Sequence, residues 1–241
     1  MTDTDNTPTL LPILIERRKA KSPLVRDPAV YTIVDSQGIV WRTLTDYKER
    51  FTPGEPIIFH TATRNSKEEI VEGPLPAVLD RIIRIGSQFL TRLSNVLLLG
   101  LGGGIIHTRL DNLYPEAYIL SVEIEPEVVY LARQHFFFLG NVVIADAFRY
   151  IKESNDESFY DLVLYDCYSD IHNPREITSE EKLLAILPDL LRLTSKGGVV
   201  LINILCHNTE GLLWAVNLNL PGYNIGRHLV GNHNVIIQVN K

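Results

Sequence analysis

The stretch Asn95-Val-Leu-Leu-Leu-Gly-Leu-Gly-Gly-Gly104 decides the fold of this 241-residue chain. Its first half is an unbroken apolar run, as in a strand covered on both faces. Its second half packs Gly100, Gly102, Gly103 and Gly104 into one turn. With no side chains there, the backbone can approach a ligand, and the helix expected over 104–113 offers free N–H groups at its start. Such a turn also serves tight strand-to-helix packing, and both uses stand at this point.

Toward the C-terminus, apolar runs near 117–124, 141–145, 160–166 and 198–205 alternate with helical periodicity near 126–137, 147–153, 179–193 and 209–218. Strand and helix alternating over short joins predict a mostly parallel, doubly wound α/β sheet. The last stretch departs from that rule. Asn224–Val230 and His233–Val239 flank Gly231-Asn232, a two-residue hairpin signal, so the sheet should close with an antiparallel pair. A dinucleotide-binding sheet does not ordinarily end so.

Toward the N-terminus, apolar residues recur at three- and four-residue spacing from Pro76 to about Leu93, which indicates an amphipathic helix. Ala29–Val34, Ile39–Leu44 and Pro56–Ala62 read as strands, with the turn-forming Asp35-Ser-Gln-Gly38 between the first two. The organisation expected is a disordered tail over 1–10, a small β-rich appendage over 11–75 and the main ligand-binding domain over 76–241.

Composition bounds the function. The chain is 45% apolar and 22% charged, without an apolar run near the roughly 20 residues that span a bilayer. Its start is polar and acidic and lacks the basic flank of a secretory signal, so a cytoplasmic protein with no membrane contact is expected. A net charge of −6 argues against nucleic acid as a partner, since phosphate is bound through clustered Lys and Arg. The basic run Arg17–Lys21 reads as a solvated face. The two cysteines, Cys167 and Cys206, read as free thiols at strand ends.

In an open α/β sheet the ligand sits at the carboxyl ends of the strands, where strand order reverses. Each predicted strand ends in something polar. The second ends at Glu123, about twenty residues beyond the glycines, where an acidic side chain can accept hydrogen bonds from both hydroxyls of a ribose. Glu125, just before Pro126, reads as a first-turn helix residue. The third strand ends in Asp146-Ala147; this carboxylate can hold an exocyclic amino group of a base, cap the following helix, or both. The fourth ends in Asp166, with Tyr168 and Asp170 close behind. A nicotinamide-dinucleotide reading needs a third glycine in G-x-G-x-x-G, and that position is Ile105. The seven histidines are scattered without metal-ligand spacing, so no metal is expected.

Taken together, Leu99-Gly-Leu-Gly-Gly-Gly104, Val122–Val128, Ala145-Asp-Ala147, Tyr160–Asp166, Pro174 with Ile177-Thr178, and Lys196–Asn203 resemble the spermidine synthase-like branch of the class I methyltransferase superfamily. The resemblance runs from Asn95 to about Leu205. It implies a Rossmann-like, seven-stranded sheet and a site for S-adenosylmethionine or its decarboxylated form. The cofactor would lie over Gly100, Gly102, Gly103 and Gly104, with Glu123 on the ribose and Asp146-Ala147 at the adenine. Asp166 would lie beside the acceptor, assisted by Asp170 and lined by Tyr168. A protonated amine cannot attack a sulfonium-bound carbon, so a carboxylate must orient it and accept its proton.

Three departures bear on the reaction. The family's aminopropyltransferases carry an Asp in the glycine turn that grips the donor's amine, where this chain has Gly103. They have a Tyr-His-Glu element where this chain reads Ile70-Val-Glu-Gly-Pro74, and their loop aspartates are spaced Asp-x-x-Asp, one residue closer than Asp166 and Asp170. The expectation is therefore transfer of a methyl or other donor-derived group to a small-molecule amine or hydroxyl. Aminopropyl transfer to a diamine is the alternative, and a non-catalytic nucleoside-binding protein a second. Members of this group are often dimers, and the β appendage is where contact between copies is expected.

Overall fold

The computed structural model describes residues 12–34, 40–50, 61–64, 81–85, 93–167, 180–205, 222–230 and 234–241. Strands β1 (Ile13–Arg17), β2 (Pro28–Val34), β3 (Val40–Asp46) and β4 (Thr61–Arg64) form an antiparallel sheet in sequential order. The main sheet is built from β5 (Asn95–Leu99), β6 (Tyr118–Glu123), β7 (Asn141–Ile144), β8 (Tyr160–Tyr165), β9 (Thr194–Leu205), β10 (Asn224–Val230) and β11 (Asn234–Asn240). Its order is β10-β11-β9-β8-β5-β6-β7. The pairs from β7 through to β9 are parallel, and β11 runs antiparallel to both β9 and β10.

Helices α1 (Ile105–Leu113), α2 (Pro126–His135), α3 (Ala147–Glu153) and α4 (Glu180–Leu193) connect the parallel strands. One face of the sheet, with Leu97, Leu99, Val163, Val200 and Ile202, packs on Ile151 of α3 and Ile186 and Leu190 of α4. The other, with Val96, Leu98, Leu162, Val199 and Leu201, packs on Leu110 of α1 and on Ile82 and Ile85 of the helical stretch 81–85. Burial on both sides is why these strands read as continuous apolar runs.

The parallel α/β sheet with its antiparallel C-terminal pair is as expected, and Gly231-Asn232 lies outside the described residues. Of the helix expected from Pro76 to about Leu93, residues 81–85 are described and helical, while Leu93 is described and lies outside a helix. The helix expected over 209–218, the expected tail over 1–10 and Cys206 lie outside the described residues. Strand β9 begins at Thr194, earlier than the apolar run, because its start still pairs with Tyr160 across a register shift. Strand β1 was not evident in the sequence. Ile13, Leu14 and Ile15 are all exposed, so it lacks the alternation that marks a half-buried strand. No helix among the described residues is long and apolar enough to cross a membrane.

The basic run is an exposed face, as read from the sequence, and its side chains also make ion pairs within the chain. Arg18 lies 2.7 Å and Lys21 2.6 Å from the Glu127 carboxylate, while Arg17 pairs with Asp27. Glu127 is almost fully buried at the start of α2, and a buried carboxylate requires counter-charges. Beside it, the fully buried Glu125 caps α2 by accepting from Glu127 N and accepts from the backbone N–H groups of Lys21 and Ser22 at 2.9 and 2.7 Å. It is thus an N-cap rather than a first-turn residue. Val30 and Leu44 of the small sheet pack on Leu131 and Phe136, so the antiparallel sheet is fastened along α2 by both apolar and charged contacts.

Candidate active site

The strand order reverses between β5 and β8, and the carboxyl ends of both meet there. Gly100 N donates to Val122 O on one side, and Asp166 N donates to Leu99 O on the other, each at 2.8 Å. Gly100 has φ +98, a left-handed value that side chains resist. A Cβ there would sit 2.9 Å from the Asp166 carbonyl carbon and closer still to its oxygen. Gly104 has φ +75, and a Cβ would lie 2.6 Å from the Phe138 ring. Phe138 in turn meets His107 edge-on, and the buried His107 shares a 2.8 Å hydrogen bond with Ser121. Burial holds the His107 imidazole below its ordinary pKa, so it is a neutral structural residue. Gly100 and Gly104 are therefore required by packing at the base of the turn. That packing fixes where α1 begins and where its first N–H groups lie.

Glu123, at the end of β6, is tied directly to this turn. Its Oε2 accepts from Leu101 N at 3.1 Å, and its Oε1 accepts from Glu125 N at 3.0 Å. These two bonds orient the carboxylate against the turn. Asp146 follows β7 and caps α3, its Oδ1 accepting from Phe148 N at 2.9 Å. Capping fixes the carboxylate beside the strand end, and Ala147 is buried beneath it. Both uses of Asp146 weighed from the sequence are compatible with this geometry.

Asp166 follows β8 directly. Its Oδ1 accepts from Asn203 Nδ2 at 2.9 Å, a bond from the neighbouring strand β9. Cys167 comes next, and burial, then the charges of Glu123, Asp166 and Asp146, push its thiol well above the ordinary cysteine range. A thiol so raised stays protonated and is no nucleophile. Gly102 (φ +53) and the buried Gly103 complete the turn. Tyr168 and Asp170 lie outside the described residues.

Asn203 is the residue that sequence reasoning passed over. Val199 and Leu201 precede it on the same face of β9 and are wholly apolar, so a polar residue at the next inward position breaks the pattern. That break was the available signal. Among the described residues, no group of three or more His, Cys, Asp or Glu is placed to hold a metal ion. A surface hollow of about 460 Å³ lined by Arg17, Lys19, Arg26, Asp27 and Tyr47 belongs to the N-terminal loop and includes none of the strand-end residues.

No family model matches the chain. It is 31% identical over 128 residues to the polyamine aminopropyltransferase of Vibrio vulnificus (strain CMCP6), which covers 51% of this chain and 42% of that protein. It is 27% identical over 136 residues to the eEF1A lysine and N-terminal methyltransferase of Xenopus laevis, covering 52% of this chain and 19% of that one. The chain thus spans less than half the length of these curated relatives. Among solved structures, a probable spermidine synthase from Corynebacterium glutamicum ATCC 13032 superimposes with a TM-score of 0.67 at 14% identity, over 96% of this chain and 81% of that one. Human methyltransferase-like protein 13 in complex with SAH gives 0.54 at 22% identity, over 70% and 82%. The resemblance to the spermidine synthase-like branch of the class I methyltransferases therefore holds, with polyamine aminopropyltransferases and eEF1A methyltransferases both among the relatives, and the fold is the Rossmann-like fold of these enzymes.

Proposed function

We propose that this chain is an S-adenosylmethionine-dependent transferase of the spermidine synthase-like group that acts on an amine. The observation that supports the reading is the placement of Glu123, Asp146 and Asp166 at the carboxyl ends of β6, β7 and β8, beside the glycine turn that follows β5. The donor set fits a nucleoside. Glu123, oriented by Leu101 N and Glu125 N, would accept from the ribose hydroxyls; Asp146 would accept from the adenine amino group; the α1 N-terminus behind Gly102 and Gly103 presents N–H groups. S-adenosylmethionine, when bound, supplies an electrophilic carbon on a sulfonium.

The chain's own contribution is placement and proton handling. Asp166, pinned by Asn203, would accept a hydrogen bond from the acceptor amine and take its proton as the nitrogen's lone pair is used. Clustered carboxylates favour a cationic donor and a basic acceptor over an anionic one. Methyl transfer is the favoured chemistry, because the turn has Gly103 where aminopropyltransferases have an aspartate for the donor's amine. The 31% identity to a polyamine aminopropyltransferase supports aminopropyl transfer as the second reading. A small-molecule amine is the acceptor expected, while the eEF1A methyltransferase relatives make a protein lysine or N-terminus the comparison to include. A second copy would pair along the exposed apolar edge of β1.

Calorimetry with S-adenosylmethionine and with its decarboxylated form decides the donor. Turnover is then measured on 1,4-diaminobutane and on a lysine-bearing peptide. Tight binding of the decarboxylated donor alone would replace methyl with aminopropyl transfer, and no product with either donor on any amine, alcohol or carboxylic acid would remove the enzyme reading.

A further inference from the structure

Asn203 is 7% exposed on a face of β9 where the preceding inward residues, Val199 and Leu201, are apolar. Leaving a buried amide without partners is costly, so an amide at this position must be matched. Its match is Asp166. Tyr165 stands beside Ile202 in the parallel β8–β9 pair, which brings the next residue of each strand, Asp166 and Asn203, alongside each other on the same face. The carboxylate is an acceptor only, so the amide turns its NH₂ toward Oδ1, at 2.9 Å. On its other side, Asn203 is opposite Ile236 of β11, which is fully buried. The antiparallel strand thus backs the amide with a rigid apolar wall.

We infer that Asn203 is a positioning residue that holds the Asp166 carboxylate in the rotamer from which it meets the acceptor amine. The inference rests on the transferase reading for its kinetic consequence, but not for its structural one. Asp166 follows the last residue of β8, so the strand holds its backbone but does not by itself set its χ1. A charge-assisted bond from a buried, immobile donor selects one rotamer before the acceptor arrives, which is how orientation is prepaid.

The test replaces Asn203 with Leu, of similar size and without a donor, and with Asp, isosteric and repelling Asp166. Crystal structures of the wild type and both variants are determined with S-adenosylhomocysteine, alongside donor calorimetry and steady-state kinetics with the amine turned over by the wild type. The expected result is an Asp166 carboxylate that leaves its wild-type rotamer, donor affinity within about twofold, acceptor KM little changed, and kcat lower by about 10- to 100-fold, the range that one hydrogen bond to a charged group carries. An unmoved Asp166 in both variants, or a kcat within twofold of wild type, overturns the inference. A loss confined to donor binding overturns it as well. Should the wild type turn over no amine, the transferase reading fails, and the Asp166 rotamer alone decides whether Asn203 positions it.

Discussion

Replacing Gly100 with Ala separates the two demands that the turn makes on its first residue. The left-handed backbone, φ +98, costs a side chain about 1–2 kcal/mol wherever it occurs. The added Cβ also meets the Asp166 carbonyl carbon at 2.9 Å and its oxygen at less, and both are backbone atoms that cannot swing aside. Relieving such a clash by moving strand ends costs roughly a further 1–3 kcal/mol. Gly222 is an internal control, because it has the same φ of +98 and, among the described residues, nothing within 4 Å of the position its Cβ would take. Gly222→Ala should therefore cost about 1–2 kcal/mol and Gly100→Ala about 2–5. In a chain of this size each kcal/mol lowers Tm by roughly 2–4 °C. Urea unfolding followed by circular dichroism gives the two differences directly. If the variants differ by less than about 0.5 kcal/mol, the error of additivity for separate sites, the packing account of Gly100 is wrong. Because the displaced atoms belong to Asp166, turnover in Gly100→Ala should also fall by more than the folded fraction does.

Asp166→Asn keeps the size of the side chain and removes the base, so turnover should drop by about 10²- to 10⁴-fold while calorimetric donor affinity stays the same; equal losses of both would show a cofactor residue instead. Glu125→Ala deprives the N–H groups of Lys21, Ser22 and Glu127 of their acceptor, for a loss of roughly 2–4 kcal/mol. Limited proteolysis should then cut within 18–27 faster than in the wild type. The pairing of Glu127 first with Lys21 and then with Arg18 holds its carboxyl below the ordinary value of 4.5. A carboxyl depressed in the folded state contributes stability above its unfolded pKa and loses it as pH falls through the folded one. The urea midpoint of the wild type should thus fall from pH 7 to about pH 4 more steeply than that of Glu127→Gln, and parallel profiles would show that the pair contributes nothing.

The sequence by itself determined the class of fold and which carboxylates stand at the ends of its strands. Runs such as Val96–Leu99 and Leu162–Tyr165 are apolar without alternation because both faces of their strands are covered, and burial of that kind is written in local composition. Glu123, Asp146 and Asp166 were legible for a related reason: each is the first carboxylate at or after the end of an apolar run, and strand ends are where such a sheet places its ligand. What the tertiary structure decided were the relations between distant segments. The pairing of Arg18 and Lys21 with Glu127 spans more than a hundred positions, so the partner of the exposed basic run was not legible in the sequence. Strand β1 owes its existence to β2 rather than to its own pattern. Gly100 is glycine because the backbone of Asp166 occupies the space beside it, and the Asp166 carboxylate is aimed by Asn203 one strand away. Periodicity records which face of an element is covered, but not by which residue, and the geometry of the site depends on that second fact.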